Sequence, residues 1–110
     1  MHWIPLTALH QLDEIIAASH RTPQIIFKHS TRCSISSVVK NRLEAMAAPT
    51  VPANFYYLDL IAYRSVSNAI AERLGVYHES PQILIIKNGA CVFDESHTAI
   101  QPSEILEQIA

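Results

Sequence analysis

The run Phe27-Lys28-His29-Ser30-Thr31-Arg32-Cys33-Ser34-Ile35-Ser36 sets one thiol between the end of an apolar segment and the start of a helix-compatible one. A cysteine at a helix N-terminus sits among backbone N–H groups that lack intrahelical partners, and these groups with the helix dipole stabilise its thiolate. Arg32 is adjacent, and Lys28 and His29 lie just upstream, so nearby positive charge acts in the same direction. A dithiol redox protein would carry a second cysteine three residues on, where this chain has Ser36. A serine hydroxyl one helical turn away can donate a hydrogen bond to the thiolate but cannot form a disulfide. The chemistry these residues suit is exchange of a single thiol with a disulfide, with Cys33 and Ser36 as the candidate catalytic residues. The plainer reading makes Cys33 a small buried residue at a loop–helix junction, and its polar neighbours argue against that.

Elements on either side must hold this loop. Thr7 suits the N-cap of a first helix whose buried stripe is Leu9, Leu12, Ile15 and Ile16. Arg21-Thr22-Pro23 breaks it, and Gln24 to Lys28 reads as a short buried strand. From Ser34 to about Ala47, Ile35, Val38, Val39, Leu43 and Met46 recur at helical spacing until Pro49 and Pro52. Asn54 to Leu60 is a second strand, and Ser65 or Ser67 can cap a third helix closed by Gly75. Gln82 to Lys87 and Ala90 to Asp94 flank Asn88-Gly89, the strongest short-range signal for a tight antiparallel hairpin. Pro102 at a first helical position, with Ile105, Leu106 and Ile109, predicts a last helix.

The order α-β-α-β-α-β-β-α requires parallel crossovers early and an antiparallel pair late, hence one α/β domain over residues 1–110 with a central mixed sheet of about four strands flanked by helices. This arrangement resembles the thioredoxin fold, with the cysteine after the first strand and a proline just before the closing hairpin. By that resemblance Pro81 would be cis and would face the reactive sulfur. Thioredoxins also keep a buried carboxylate six residues before the first cysteine, a position held here by Phe27. A protein without a resolving cysteine has no need of that group.

The second cysteine, Cys91, falls two residues past the Asn-Gly turn, at the end of the sheet remote from Pro81. A strand of six residues at about 3.3 Å each separates the turn from Pro81 by roughly 20 Å, whereas a disulfide needs Cα atoms within about 7 Å. Cys91 therefore reads as a core or strand residue. The same geometry brings Ser96-His97-Thr98 back beside Pro81 and Cys33. There His97 can hydrogen-bond a ligand, give a proton to a leaving thiolate, carry charge, or be an ordinary surface histidine. His78 is similar, with Glu79 as a possible ion partner.

At 110 residues and 49% hydrophobic content the chain can bury one core and not two. A formal charge of −2 gives no electrostatic case for nucleic acid or an anionic membrane. No apolar run approaches the roughly 20 residues that span a bilayer. Met1-His2-Trp3-Ile4-Pro5 lacks the character of a signal peptide, and two unlike cysteines make no disulfide framework, so a reducing cytoplasmic location is expected. The six histidines show no metal-ligand spacing, so no metal site is expected.

Four blocks taken together are specific: Phe27 to Ser36, Ser67-Asn68-Ala69-Ile70-Ala71, His78-Glu79-Ser80-Pro81-Gln82, and Ser96-His97. They resemble the YtxJ family of monothiol bacilliredoxins, from bacteria that use bacillithiol in place of glutathione. The resemblance runs from the first strand to the last; Ser34 stands where members often carry proline. It implies that Cys33 removes bacillithiol from protein mixed disulfides. Bacillithiol would be a co-substrate, with no tightly bound cofactor; bacillithiolated proteins and a partner reductase would be the partners. Ser80 and Pro81 would present backbone groups to the cysteinyl part of the ligand, with His97 close by. Arg32, Lys28 or Arg64 would pair with the malate carboxylates of bacillithiol. Two other readings of the same residues stay open, a non-catalytic module binding extended peptides at the Pro81 groove and a redox sensor capped at Cys33 without turnover.

Overall fold

The computed structural model describes residues 2–110. In chain order it contains β1 (Trp3–Pro5), α1 (Leu9–Ala18), β2 (Gln24–His29), α2 (Ser34–Glu44), β3 (Asn54–Asp59), α3 (Arg64–Leu74), β4 (Gln82–Lys87), β5 (Ala90–Ser96), a 3-10 turn (His97–Ala99) and α4 (Pro102–Ile109). The sheet order is β1-β3-β2-β4-β5. β1, β3 and β2 run parallel, and β4 and β5 run antiparallel to their neighbours.

Every residue of β2 is buried, as are the first five of β4. Such strands are covered on both faces and need continuous apolar runs, which Ile25-Ile26-Phe27 and Ile83-Leu84-Ile85-Ile86 supply. Alternation then deals their side chains to two cores. Ile25, Phe27, Ile83 and Ile85 pack with Val39 and Leu43 of α2 and Ile105 and Ile109 of α4. Ile26, Leu84 and Ile86 pack with Leu12 and Ile15 of α1 and Val66 and Ile70 of α3. β5 is an edge strand with one wet face, and its exposure alternates accordingly. The β4–β5 register shifts between Ile85 and Ile86, which face Phe93 and Cys91, so Val92 is an extra residue in a bulge.

The turn Asn88-Gly89 has φ of 53° and 81°, both positive as a tight hairpin turn requires. The end of α1 latches it. Ser19 accepts from Asn88 N–H at its carbonyl (2.9 Å) and from Gly89 N–H at its hydroxyl (2.9 Å).

The structure differs from the sequence expectations at several points, among them Leu9, which is exposed and not part of the buried stripe of α1, and β3, which ends at Asp59 and not Leu60. The sheet has a fifth strand, β1, held by parallel pairing of Trp3 with Phe55 and by stacking of Trp3 on Phe27 at 5.7 Å between centroids. The N-cap of α1 is Ala8 and not Thr7; the Gln11 side chain accepts from the Thr7 and Ala8 N–H groups and donates to the Pro5 carbonyl. α2 stops at Glu44, short of the expected Ala47. α3 begins at Arg64, so Ser65 and Ser67 lie inside it. β5 continues past Asp94 to Ser96, which pairs with Gln82.

Candidate functional site

Parallel strands put the ends of β2 and β3 on one side of the sheet, and antiparallel pairing adds the start of β4 and the end of β5 there. The loops at that end are Ser30–Cys33, Leu60–Tyr63, Tyr77–Pro81 and His97–Ala99. Leu60 N–H donates to the His29 carbonyl (3.0 Å) and His97 N–H to the Pro81 carbonyl (2.9 Å), which joins the loops pairwise.

Cys33 is the N-cap of α2, with extended backbone, partial exposure and no side-chain capping bond. Its carbonyl accepts the first helical bond, from Ser37 N–H (3.1 Å). The N–H groups of Ser34, Ile35 and Ser36 precede that bond and stand at the helix start. Arg32 and Ser34 are exposed on either side, and Ile35 and Val38 present apolar surface along α2.

Ser36 is fully buried. Its Oγ accepts from Ser30 N–H (3.1 Å) and pairs with Nδ1 of His29 (2.6 Å). The hydroxyl expected to donate to the Cys33 sulfur is therefore engaged with the loop and with His29, a correction to its expected role. The cause is direction: Ser36 is on the face of α2 that also buries Val39 and Leu43. His29 is itself buried, with ring centroids of Phe27 and Tyr57 at 5.7 and 5.5 Å. Burial, then the Lys40 charge, push the His29 pKa below the ordinary imidazole value.

Lys28 and His29 are adjacent, so strand alternation sends them to opposite faces. Lys28 is fully buried on the α1/α3 face. Its Nζ donates to the Ser67 carbonyl (3.2 Å) and lies 3.3 Å from Nδ1 of His78. Burial lowers its pKa from 10.5 to about 8. This corrects the expectation that Lys28 meets ligand carboxylates, because its ammonium is turned into the fold. Arg64 is exposed at the start of α3, and its charge helps hold the His78 pKa down, after burial and Lys28.

The Ser80–Pro81 peptide bond is cis, and Ser80 Oγ is buried without a hydrogen-bond partner. His97, at φ 55°, holds Glu79 through Nε2 and Oε2 (3.0 Å). Glu79 is thus the partner of His97, not of its neighbour His78. Cys91 lies by the remote Asn88–Gly89 turn, packed against the α1/α3 core, and both cysteines are free. Burial raises the Cys91 thiol above its usual value.

The family model for monothiol bacilliredoxin BrxC matches residues 4–105. This chain belongs to the monothiol bacilliredoxin family. The bacilliredoxin match spans the cysteine loop, the cis proline and the His97 turn together. Among solved structures, the chain is similar to a proposed oxidoreductase with a thioredoxin fold, at 26% identity and TM-score 0.77, over 94% of this chain and 90% of that one. It is also similar to oxidised thioredoxin from Plasmodium falciparum, at 17% identity and TM-score 0.73, over 99% and 100% of the two chains. Thioredoxin from Malassezia sympodialis matches at 16% identity and TM-score 0.71, over 99% and 94%. The last two likenesses establish the fold. Family and fold together support a thiol-redox function with redox partners for this bacilliredoxin.

Sequence reasoning counted His29 among the positive charges near the thiol and gave His78 the same open roles as His97; the structure instead buries His29 with its pKa lowered and sets His78 against Lys28 and Ser67. Their partners lie on α2 and α3, and His78 is 50 residues from Lys28 along the chain. The one available signal was the alternation of β2, which separates Lys28 from His29. No helix among the described residues is long and apolar enough to cross a membrane.

Proposed function

We propose that the protein is a monothiol thiol–disulfide oxidoreductase that removes bacillithiol from protein mixed disulfides through Cys33. The observation that carries the reading is a partly exposed, unpaired thiol at the start of α2, with a buried serine in the place of a resolving cysteine. A helix start favours an anion at this position, and thiolate is the attacking species in exchange.

In this reading the Cys33 thiolate attacks the bacillithiol sulfur of the mixed disulfide. The protein–bacillithiol S–S bond breaks, the repaired protein leaves as a thiolate and takes a proton from solvent, and a Cys33–bacillithiol disulfide forms. A second bacillithiol thiolate then attacks the bound bacillithiol sulfur, releasing oxidised bacillithiol and restoring Cys33. Each step exchanges one S–S bond for another, so no electron acceptor is needed. The backbone at Ser80 and Pro81 would pair with the cysteinyl portion of the ligand, and exposed Arg32 and His97 would meet its carboxylates. The reading includes a reducing cytoplasmic setting, where a free thiol pool discharges the enzyme.

The test is incubation of the reduced protein with a bacillithiolated protein and bacillithiol, followed by intact mass. Loss of the bacillithiol adduct from the target, with transient gain of one bacillithiol on Cys33, is the expected result. A target that stays modified defeats the reading; an adduct that accumulates on Cys33 without turnover leaves a sensor.

A further inference from the structure

Lys28 has no part in the exchange chemistry, yet its charged side chain is fully buried. Among the described residues no carboxylate pairs with it. A buried cation without a counter-ion is a poor way to gain stability, since an apolar residue of similar volume fills the same space without a desolvation penalty. What an ammonium offers instead is direction, because it carries hydrogen-bond donors and no acceptor.

We propose that Lys28 is a positioning residue for the exchange reaction, fixing His78 from inside the fold and through it the loop that carries Ser80 and Pro81. The inference rests on the exchange reading above. Lys28 Nζ lies 3.3 Å from His78 Nδ1, and Ser67 Oγ lies 3.2 Å from the same nitrogen. Since Lys28 only donates, Nδ1 accepts. With the His78 pKa lowered by burial and neighbouring cations, the ring is neutral and its proton is on Nε2. One contact thus sets both the place and the tautomer of His78.

That contact bears on the ligand groove. Lys28 lies directly across from Gln82, the first residue after Pro81. Gln82 Nε2 donates to the Tyr77 carbonyl (2.9 Å), a second anchor of the same loop. Ser80 Oγ makes no hydrogen bond of its own, so the aim of its backbone depends on the anchors on either side of it, Tyr77 and His78 held from within the fold and Glu79 and Pro81 held by His97. Lys28 ties this loop to Ser67 of α3 through the carbonyl bond of 3.2 Å. Sheet, helix and loop are joined at one ammonium.

The experiment compares Lys28→Met, His78→Ala and the double variant with the unsubstituted protein, using a bacillithiolated test protein. Each variant is first shown to be folded by circular dichroism. Lys28→Met and His78→Ala are each expected to lower kcat/KM about tenfold, chiefly through KM, and the double variant to lose no more than either alone. Unchanged kcat/KM in a folded Lys28→Met protein, or losses that multiply in the double variant, overturns the proposal. Should Lys28→Met not fold, His78→Ala decides, and an unchanged rate there overturns it. Ring nitrogen-15 shifts of His78 give a readout that needs no turnover. They are expected to report the Nε2–H tautomer in the unsubstituted protein and a mixture in Lys28→Met; an Nδ1–H ring in the unsubstituted protein overturns the proposal. Absence of turnover in the unsubstituted protein defeats the exchange reading, and the nitrogen shifts then still decide what Lys28 does.

Discussion

Ser36 Oγ lies 2.6 Å from Nδ1 of His29, and the same oxygen accepts the Ser30 N–H. The residue that replaces a second thiol is thus a buried tie between helix α2, strand β2 and the cysteine loop. Ser36→Ala leaves a buried ring nitrogen and a loop amide without their partner, and each such loss costs about 1–3 kcal/mol. Denaturant unfolding should show Ser36→Ala less stable by at least 1 kcal/mol. A midpoint equal to that of the unsubstituted protein would show that the tie carries nothing.

Cys33→Ser is expected to abolish removal of bacillithiol, and Cys91→Ser to retain it within about twofold, an interval that corresponds to less than half a kcal/mol. Cys91 lies by the turn remote from Pro81 and donates to the Phe93 carbonyl (3.3 Å). Activity lost in a folded Cys91→Ser protein would overturn the one-cysteine assignment.

His29 and His78 in one window, and Lys28 in another, make stability rise with pH. His29 has its pKa lowered by burial, so below about pH 6.5 the unfolded chain binds a proton that the native ring refuses, and stability falls as pH falls. Lys28 is lowered from 10.5 to about 8. At this residue the unfolded chain therefore binds more protons between those values, which contributes a rise of up to about 3 kcal/mol at 1.36 kcal/mol per unit, opposed in the same range by the raised Cys91 thiol. Urea midpoints for Lys28→Met should lack the alkaline rise. A rise of equal size in that variant would assign it to another group.

His97 and Glu79 form a hydrogen-bonded pair whose side chains are about half exposed (53% and 48%). Such pairs contribute about 1 kcal/mol or less, so neither His97→Ala nor Glu79→Gln should shift the thermal midpoint by more than a few degrees. Their effects on exchange should be opposite. His97→Ala removes a group offered to the ligand carboxylates and raises KM, whereas Glu79→Gln removes a competing anion and lowers it. Equal shifts in steady-state KM would exclude His97 from ligand binding.

Gly89 and Gly75 both have positive φ, 81° and 66°. A side chain at either position meets backbone strain of about 1–2 kcal/mol. At Gly89 the new Cβ also comes within 3.2 Å of the His20 ring, while at Gly75 nothing lies within 4 Å. Gly89→Ala should be the more destabilising in thermal unfolding, and Gly89→Ala with His20→Ala should match Gly75→Ala. If the double variant is no more stable than Gly89→Ala, the ring is not the obstacle.

Much of this architecture was legible because its signals are local. The Asn88-Gly89 pair, the flanking isoleucine runs and Pro102 each name an element within a few residues. β1 was not legible. Three residues ending in a proline carry no periodicity, and their strand exists through pairing with Phe55 to Tyr57 far along the chain. The site divides the same way. Cys33 at a helix start follows from neighbouring residues. The burial of Lys28 and the engagement of Ser36 depend on which face of a strand or helix meets which neighbour. The Glu79 partner was misjudged for the same reason, since sequence adjacency favoured His78 while the returning β5 strand delivered His97.

The burial of Ser36 has a kinetic consequence. With no thiol at that position and Cys91 at the far turn, an oxidised Cys33 has nothing within the same molecule to discharge it. Under the proposed chemistry its recovery is second order, with a rate proportional to the surrounding concentration of free small thiol. The turnover of this protein would then track the reductant supply, slowing as that pool is drawn down.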